Sequence, residues 1–197
     1  MNIKNKSLTS QNIDLKNSEV NILGPSLEMN GCKINSDCEA EAISIVGLKM
    51  YGGVFEQKRT LLNFHFEKAH FENVLFKGSY VGCDFGDWEL EERSSIINCD
   101  FSSALLDGCR FLRCDPKSIQ FPKWPYFTIV SPCEARQYVL SHIWPEKVGL
   151  ILGIYTDADP ECVAVTGDAE RIAKKNKIKL IDLREHLLRI PNILILD

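Results

Sequence analysis

The stretch FHFEKAHFENVLFKGSYVGCDF, residues 64–85, decides the fold of this chain. Its large apolar side chains recur every five residues, and a second, mostly smaller residue stands two positions before each of them. The two series are Phe66, Phe71, Phe76 and Val81, and Phe64, Ala69, Val74 and Ser79. A period of five fits neither the 3.6-residue period of a helix nor the two-residue period of a strand. It predicts a solenoid, in which successive coils stack and equivalent residues form inward columns.

Shorter stretches with the same spacing extend the pattern over residues 11–115. They include Ile13 with Leu15, Leu48 with Met50, Cys99 with Phe101, and Cys109 with Phe111. The pattern resembles the pentapeptide-repeat family, and the resemblance implies a right-handed, four-sided β-helix in which four pentapeptides close one turn. About five coils are therefore expected, stacked at roughly the 4.8 Å spacing of neighbouring strands. Each break in the pattern predicts a loop at a corner, and the C-terminal segment is the expected cap for one end.

The composition is that of an ordinary globular protein, with 45% hydrophobic and 25% charged residues. Neither a signal peptide nor an apolar run of about 20 residues is visible, so we expect a cytoplasmic protein without a membrane anchor. Four of the eight cysteines take the small-residue position, which favours buried thiols over disulfides: Cys83, Cys99, Cys109 and Cys114. Because no C-x-x-C or H-x-x-x-H pair occurs, we expect neither a metal nor another cofactor.

The clearest interruption is GDWELEERSSIIN, residues 86–98, which carries a tryptophan among four acidic residues. One interpretation is a solvated loop or short helix whose tryptophan packs on the solenoid, because charge runs are usually solvated. The other is a protruding binding element, because aromatic anchors dominate protein interfaces. The candidate partner-binding residues are then Asp84, Trp88, Glu89, Glu91 and Glu92.

The chain changes character near residue 119, which predicts a β-helix domain over 1–118 and a small α/β domain over 119–197. The run FPKWPYF reads as an extended linker. Ser131 to Glu134 form a capping box with proline at the first helical position, so a helix is expected to follow and to end at Trp144. Apolar runs predict strands over 148–156, 162–166, 178–181 and 193–196. Asp168 and Asp182 are expected to begin helices. The alternation of these strands and helices suggests a β-α-β layer.

Residues 163–190, VAVTGDAERIAKKNKIKLIDLREHLLRI, resemble the closing half of the Mrr-type restriction-endonuclease-like scaffold. The metal site of that family needs an Asp and a Glu-x-Lys on adjacent strands, and this chain lacks both in the required places. The acidic cluster of Asp157, Asp159 and Glu161 could gather a hard cation, but we favour a strand-connecting turn, because the twelve-residue calcium loop pattern is absent. No nucleophile, base and orienting group can be named together, so we predict no enzymatic activity.

Charge and rigidity together suggest a function. The net charge is −4, and an acidic solenoid argues against duplex DNA as its ligand. We expect a non-catalytic bacterial protein that binds another protein, such as an immunity protein or inhibitor that neutralises a toxin or protects an enzyme. The family resemblance implies an alternative, a DNA mimic acting on a type II topoisomerase through outward carboxylates: Glu67, Glu72, Asp84, Asp100 and Asp107. A metal-dependent nuclease-like enzyme is a further alternative.

Overall fold

A computed structural model describes residues 1–88 and 94–197 and shows a β-solenoid with three strands to each coil. The first two coils hold β1 (Asn2–Ile3), β2 (Lys6–Thr9), β3 (Asn12–Leu15), β4 (Asn21–Leu23), β5 (Leu27–Asn30) and β6 (Lys33–Ser36). The next two hold β7 (Ile43–Ile45), β8 (Leu48–Tyr51), β9 (Val54–Leu62), β10 (His65–Phe66), β11 (His70–Glu72) and β12 (Leu75–Val81). The last holds β13 (Asp84–Phe85), β14 (Ser95–Ile97) and β15 (Asp100–Asp107), and β16 (Arg110–Leu112) follows.

Equivalent strands of successive coils pair in parallel, as in the alignment of Leu27 with Leu48 and of Ile34 with Phe55. Two faces hold five strands each, in the orders β2-β5-β8-β11-β14 and β3-β6-β9-β12-β15. The five strands on each of these faces are separated by about four turns of the solenoid. The prediction of a mainly β fold built on a β-helix is confirmed.

Inward side chains form four columns that run through the stacked coils. Their buried members are Leu23, Ile45, Phe66, Phe85 and Phe111; Met29, Met50, Phe71 and Ile96; Ile13, Ile34, Phe55, Phe76 and Phe101; and Leu61, Tyr80 and Leu106. Rings of adjacent coils stack closely, since the centroids of Phe76 and Phe101 lie 4.4 Å apart with nearly parallel planes. Because no single coil can bury its apolar face alone, the core depends on this stacking.

The five-residue spacing fails at one position of the fourth coil. The sequence placed Val81 in the inward series with Ser79 before it, but Tyr80 is the fully buried residue. Gly78 lies within this stretch: it adopts a φ of +97°, and a Cβ there would lie 1.8 Å from the carbonyl oxygen of Gln57. The register shifts against β9 between Gly78 and Tyr80 and against β15 between Leu75 and Lys77. Tyr80 therefore takes the inward position four residues after Phe76.

The remaining elements form a layer on the last coil. They are β17 (Tyr126–Val130), α1 (Pro132–Ser141), α2 (Val148–Tyr155), β18 (Cys162–Asp168), α3 (Ala169–Asn176), α4 (Leu180–Leu187) and β19 (Ile193–Leu194). Strand β18 pairs antiparallel with β16, and β17 and β19 follow, so one solenoid sheet continues as β10-β13-β16-β18-β17-β19. The C-terminal segment therefore covers the backbone edge that the last coil would otherwise expose.

Several predictions for this segment were right. Helix α1 begins at Pro132, although the Ser131 hydroxyl makes no capping bond within the part of the chain that the structure describes. Asp168 does cap α3, because its carboxylate accepts from the Arg171 backbone N–H at 3.0 Å. The strands predicted over 162–166 and 193–196 correspond to β18 and β19.

Other predictions were wrong. Residues 148–156 form α2 rather than a strand, and residues 178–181 lead into α4, which begins at Leu180 rather than at Asp182. Strand β17 lies within and just beyond the stretch expected to be a linker. The sheet is antiparallel here, so the predicted β-α-β layer does not form. The solenoid core and the core of the helical layer meet between Phe121 and Phe127. Phe121 packs in the solenoid core, whereas Phe127 packs with the helices.

All eight cysteines are free, and the predicted columnar thiols Cys83, Cys99 and Cys109 are buried, whereas Cys114 is half-buried. Burial raises the pKa of Cys99 to about 11. A thiol held in its protonated form fills core space as a small apolar group would. Among the described residues, no helix is long and apolar enough to cross a membrane.

Candidate functional site

Asp84, a predicted partner-binding residue, lies on β13 but is only 7% exposed. Parallel pairing places Arg110 of β16 beside it, and Arg110 donates to both carboxylate oxygens, from Nε at 2.6 Å and from Nη2 at 2.8 Å. This bidentate bond raises the pKa of Arg110. Bidentate pairs of this kind are strong and geometrically specific. The Asp84 carboxylate is thus an internal ligand for Arg110, not the outward-facing group that the sequence predicted.

Trp88 lies close to this pair and is half-buried. The Arg110 guanidinium sits 5.0 Å from the centre of its indole ring, and the ring packs against Leu112, Cys162 and Val165. The Trp88 carbonyl accepts from Arg113 Nη2 at 2.9 Å. This is the arrangement in which the tryptophan packs on the body of the protein. The predicted partner-binding residues Glu89, Glu91 and Glu92 lie outside the described residues.

A second buried carboxylate, Asp107 of β15, joins the solenoid to the C-terminal segment. Tyr155 donates its hydroxyl to Asp107 Oδ1 at 2.6 Å, and Arg171 pairs with the same carboxylate through Nε and Nη2. The Asp168 backbone N–H also donates to it, at 3.2 Å. Burial, followed by the Asp107 charge, raises the pKa of Tyr155 far above its ordinary value. Like Asp84, Asp107 was expected to face outward, and it is 6% exposed.

A cleft of 380 Å³ lies between these two ion pairs. Gly82, Gly108 and Asn63 of the solenoid form one wall, and Ile154, Tyr155 and Ala158 form the other. Arg110 and Arg171 both line it, and each guanidinium side chain is 43% exposed. Its volume falls in the range of ligand-binding clefts.

An exposed apolar surface adjoins the cleft on α1, on α2 and between them. It consists of Leu140, Ile143, Leu150 and Ile154, and we call it the α1–α2 apolar surface. These side chains are 62%, 89%, 67% and 72% exposed. Leu140 lies against Gly153 of α2, one residue before Ile154. Clustered apolar exposure marks interaction sites. Ile154 belongs both to this surface and to the cleft.

Glycines hold the two helices in contact beneath this surface. The ring of Trp144 packs on Gly149, where a Cβ would lie 2.7 Å from Trp144 Cδ1. Leu140 packs over Gly153, where a Cβ would have an ordinary contact of 3.7 Å. Arg136 adds a bond from Nη1 to the Gly153 carbonyl at 2.9 Å. The apolar side chains are therefore presented by a packed helix pair.

Two acidic residues of the turn after α2 form ion pairs with arginines. Arg136 lies 3.1 Å from the Asp157 carboxylate, and Arg113 lies 3.3 Å from Glu161. Within residues 1–88 and 94–197, no group of three or more His, Cys, Asp and Glu side chains could hold a metal ion.

Sequence reasoning missed Arg110, Arg171 and the α1–α2 apolar surface. The arginines carry no local signal, because their partners lie 26 and 64 residues away. The apolar surface did have a local signal in the sequence. Gly149 and Gly153 are four residues apart, which is the spacing of residues on one face of a helix. A comparison of the chain with known protein families, curated proteins and solved structures found no match.

Proposed function

We propose that this protein is a non-catalytic protein-binding module, of the immunity or inhibitor type, whose partner covers the α1–α2 apolar surface. The proposal depends on one observation: the most exposed large apolar side chains lie close together on α1, on α2 and between them. Of the five most exposed large apolar side chains in the described part of the chain, four lie on this surface, and Val20 is the fifth. Water contact with so much apolar area is unfavourable, and a partner would remove it.

The support beneath the surface favours binding without rearrangement. Helix α2 buries Val148 and Leu152 in the core that it shares with β17 and α3. Asp107 ties Tyr155 of α2 to the solenoid. A surface that is rigid before binding loses little conformational entropy on association, which leaves more of the contact free energy as affinity.

The charge at the edge of the surface also suits a protein partner. Arg136 and Asp157 neutralise one another there. One ion pair therefore borders the apolar side chains, and protein interfaces usually combine an apolar core with a polar rim. DNA mimicry has less support, because it requires carboxylates on the outside and two of the five candidates, Asp84 and Asp107, are buried beneath arginines.

Site-specific photo-crosslinking in cells of the native host tests this proposal. A photoreactive amino acid would replace Leu150 or, as the matched control, Leu62, which is 52% exposed on the solenoid. We expect one discrete protein adduct from position 150 and none from position 62. Ile143→Ser in the same chain should remove that adduct.

Three results would contradict the proposal. They are equal adducts at both positions, no adduct at position 150, and an adduct with a second copy of this chain alone. The last would assign the α1–α2 apolar surface to self-association.

A further inference from the structure

We propose that the cleft between Arg110 and Arg171 binds an acidic side chain of the partner, next to an apolar residue that packs on Ile154. This inference rests on the proposed function and names the chemistry of the partner segment. It follows from the hydrogen bonds of the two guanidinium groups, from the charged side chains that line the cleft, and from the position of the cleft beside the α1–α2 apolar surface.

Each arginine is anchored by one edge and open at the other. Arg110 uses Nε and Nη2 on Asp84, and Arg171 uses Nε and Nη2 on Asp107. Within residues 1–88 and 94–197, neither Nη1 group has a hydrogen-bond partner. Anchored guanidinium groups lose little freedom when they bind, and their planar edge matches a carboxylate.

The arrangement of charge favours an incoming carboxylate over a cation. Asp84 and Asp107 lie behind the arginines and are 7% and 6% exposed, so they present little negative surface to a ligand. Asp107 and Asp157 also line the cleft, and Asp157, which is 73% exposed, lies 3.1 Å from Arg136. The Nη1 groups of Arg110 and Arg171 are therefore the N–H donors that the cleft offers to an incoming carboxylate.

The walls explain why the ligand is a peptide segment rather than a free anion. Ile154, Ala158 and Val165 line the cleft together with the arginines. Because Ile154 continues into the α1–α2 apolar surface, a segment with an apolar residue beside an acidic one can occupy both regions. A small inorganic anion would leave the apolar wall uncovered.

Titration of purified, ¹⁵N-labelled full-length protein tests the inference through the arginine Nε–H signals in NMR spectra. The probe is the peptide acetyl-Leu-Asp-Leu-amide, and the matched control has asparagine in place of aspartate. We expect saturable shifts of the Arg110 and Arg171 signals with the acidic peptide, at a Kd of about 1 mM, and no saturable shifts with the asparagine peptide.

Two surface variants separate the cleft from its surroundings. Ile154→Glu places a competing carboxylate at the cleft, and we expect it to weaken binding of the acidic peptide by about tenfold or more. Val20→Glu adds the same charge between β3 and β4, on the N-terminal coils and outside the cleft lining, and is expected to change the affinity by less than about threefold. Both side chains are more than 60% exposed in the native protein, so neither change should unfold it.

Several outcomes would overturn the inference. They are the absence of saturable shifts, equal shifts with both peptides, equal effects of the two variants, and binding of acetate or inorganic phosphate as tight as that of the acidic peptide. These measurements need no partner, so they can fail while the crosslinking result stands, and the reverse also holds.

Discussion

At the scale of single residues, the inward phenylalanines are among the largest side chains of the solenoid core. Phe71 is fully buried, and its ring centroid lies 5.7 Å from that of Phe66 and 5.1 Å from that of Phe76 in edge-to-face arrangements. Such ring pairs add to the free energy of burial. The neighbouring coils cannot collapse into the space of a lost ring without breaking their strand pairing.

We therefore expect Phe71→Ala to lower the free energy of unfolding by about 3–5 kcal/mol, through lost burial and the cavity left behind. Chemical denaturation measures this change. Leu105→Ala is the control, because Leu105 is 50% exposed on β15, and its effect should stay within about 0.5 kcal/mol. A loss below about 1 kcal/mol for Phe71→Ala would mean that this column is not the core.

Single residues also show where sequence reasoning reaches its limit. Phe66, Phe71 and Phe76 were placed inward correctly, because their burial follows from local spacing alone. Asp84 and Asp107 were placed outward, yet both are buried. Their burial depends on Arg110 and on the C-terminal segment, and a repeat pattern contains no information about such distant contacts.

At the scale of elements, α2 shows why an apolar run is ambiguous. The run VGLILGIY has the composition of a buried strand, and periodicity cannot distinguish a fully apolar strand from a helix of the same length. The structure resolves the choice through packing: Val148 and Leu152 face the core, Gly149 faces Trp144, and Gly153 faces Leu140 of α1. The sequence did predict the start of α1 and the Asp168 cap of α3, where one side chain fixes a helix terminus.

Two alanine substitutions in α2 should have opposite effects on stability. Gly153→Ala is expected to stabilise the protein by about 0.5–1 kcal/mol, because the methyl group fits at 3.7 Å from Leu140 and helical alanine is favoured over glycine. Gly149→Ala is expected to destabilise it by about 1–3 kcal/mol, because the methyl group would collide with Trp144. Thermal unfolding of both variants compares them, and a change of the same sign in both would contradict the helix packing described here.

At the scale of the whole molecule, the C-terminal segment completes the solenoid and also carries the candidate interaction surface. Strand β18 pairs with β16, and the Asp107 ion pair links β15 to α3. The sequence predicted the β-helix, because a repeat is visible as a regular spacing of apolar residues. It also predicted a terminal cap, because the open end of a solenoid must be covered. It could not predict an antiparallel continuation of the sheet or the surface between α1 and α2, since both depend on how separate elements meet.

The most direct test of the central claim is the affinity of the crosslinked partner for three single variants of purified protein. Leu150→Ala should weaken binding by about tenfold or more, equivalent to about 1.4 kcal/mol. Leu62→Ala, on the solenoid, should change the affinity by less than about twofold, with the thermal stability of both variants preserved. Trp88→Ala should also bind nearly normally, because Trp88 packs on Leu112, Cys162 and Val165 of the protein itself. Equal affinities for Leu150→Ala and Leu62→Ala, or a loss confined to Trp88→Ala, would contradict the assignment of partner binding to the α1–α2 apolar surface.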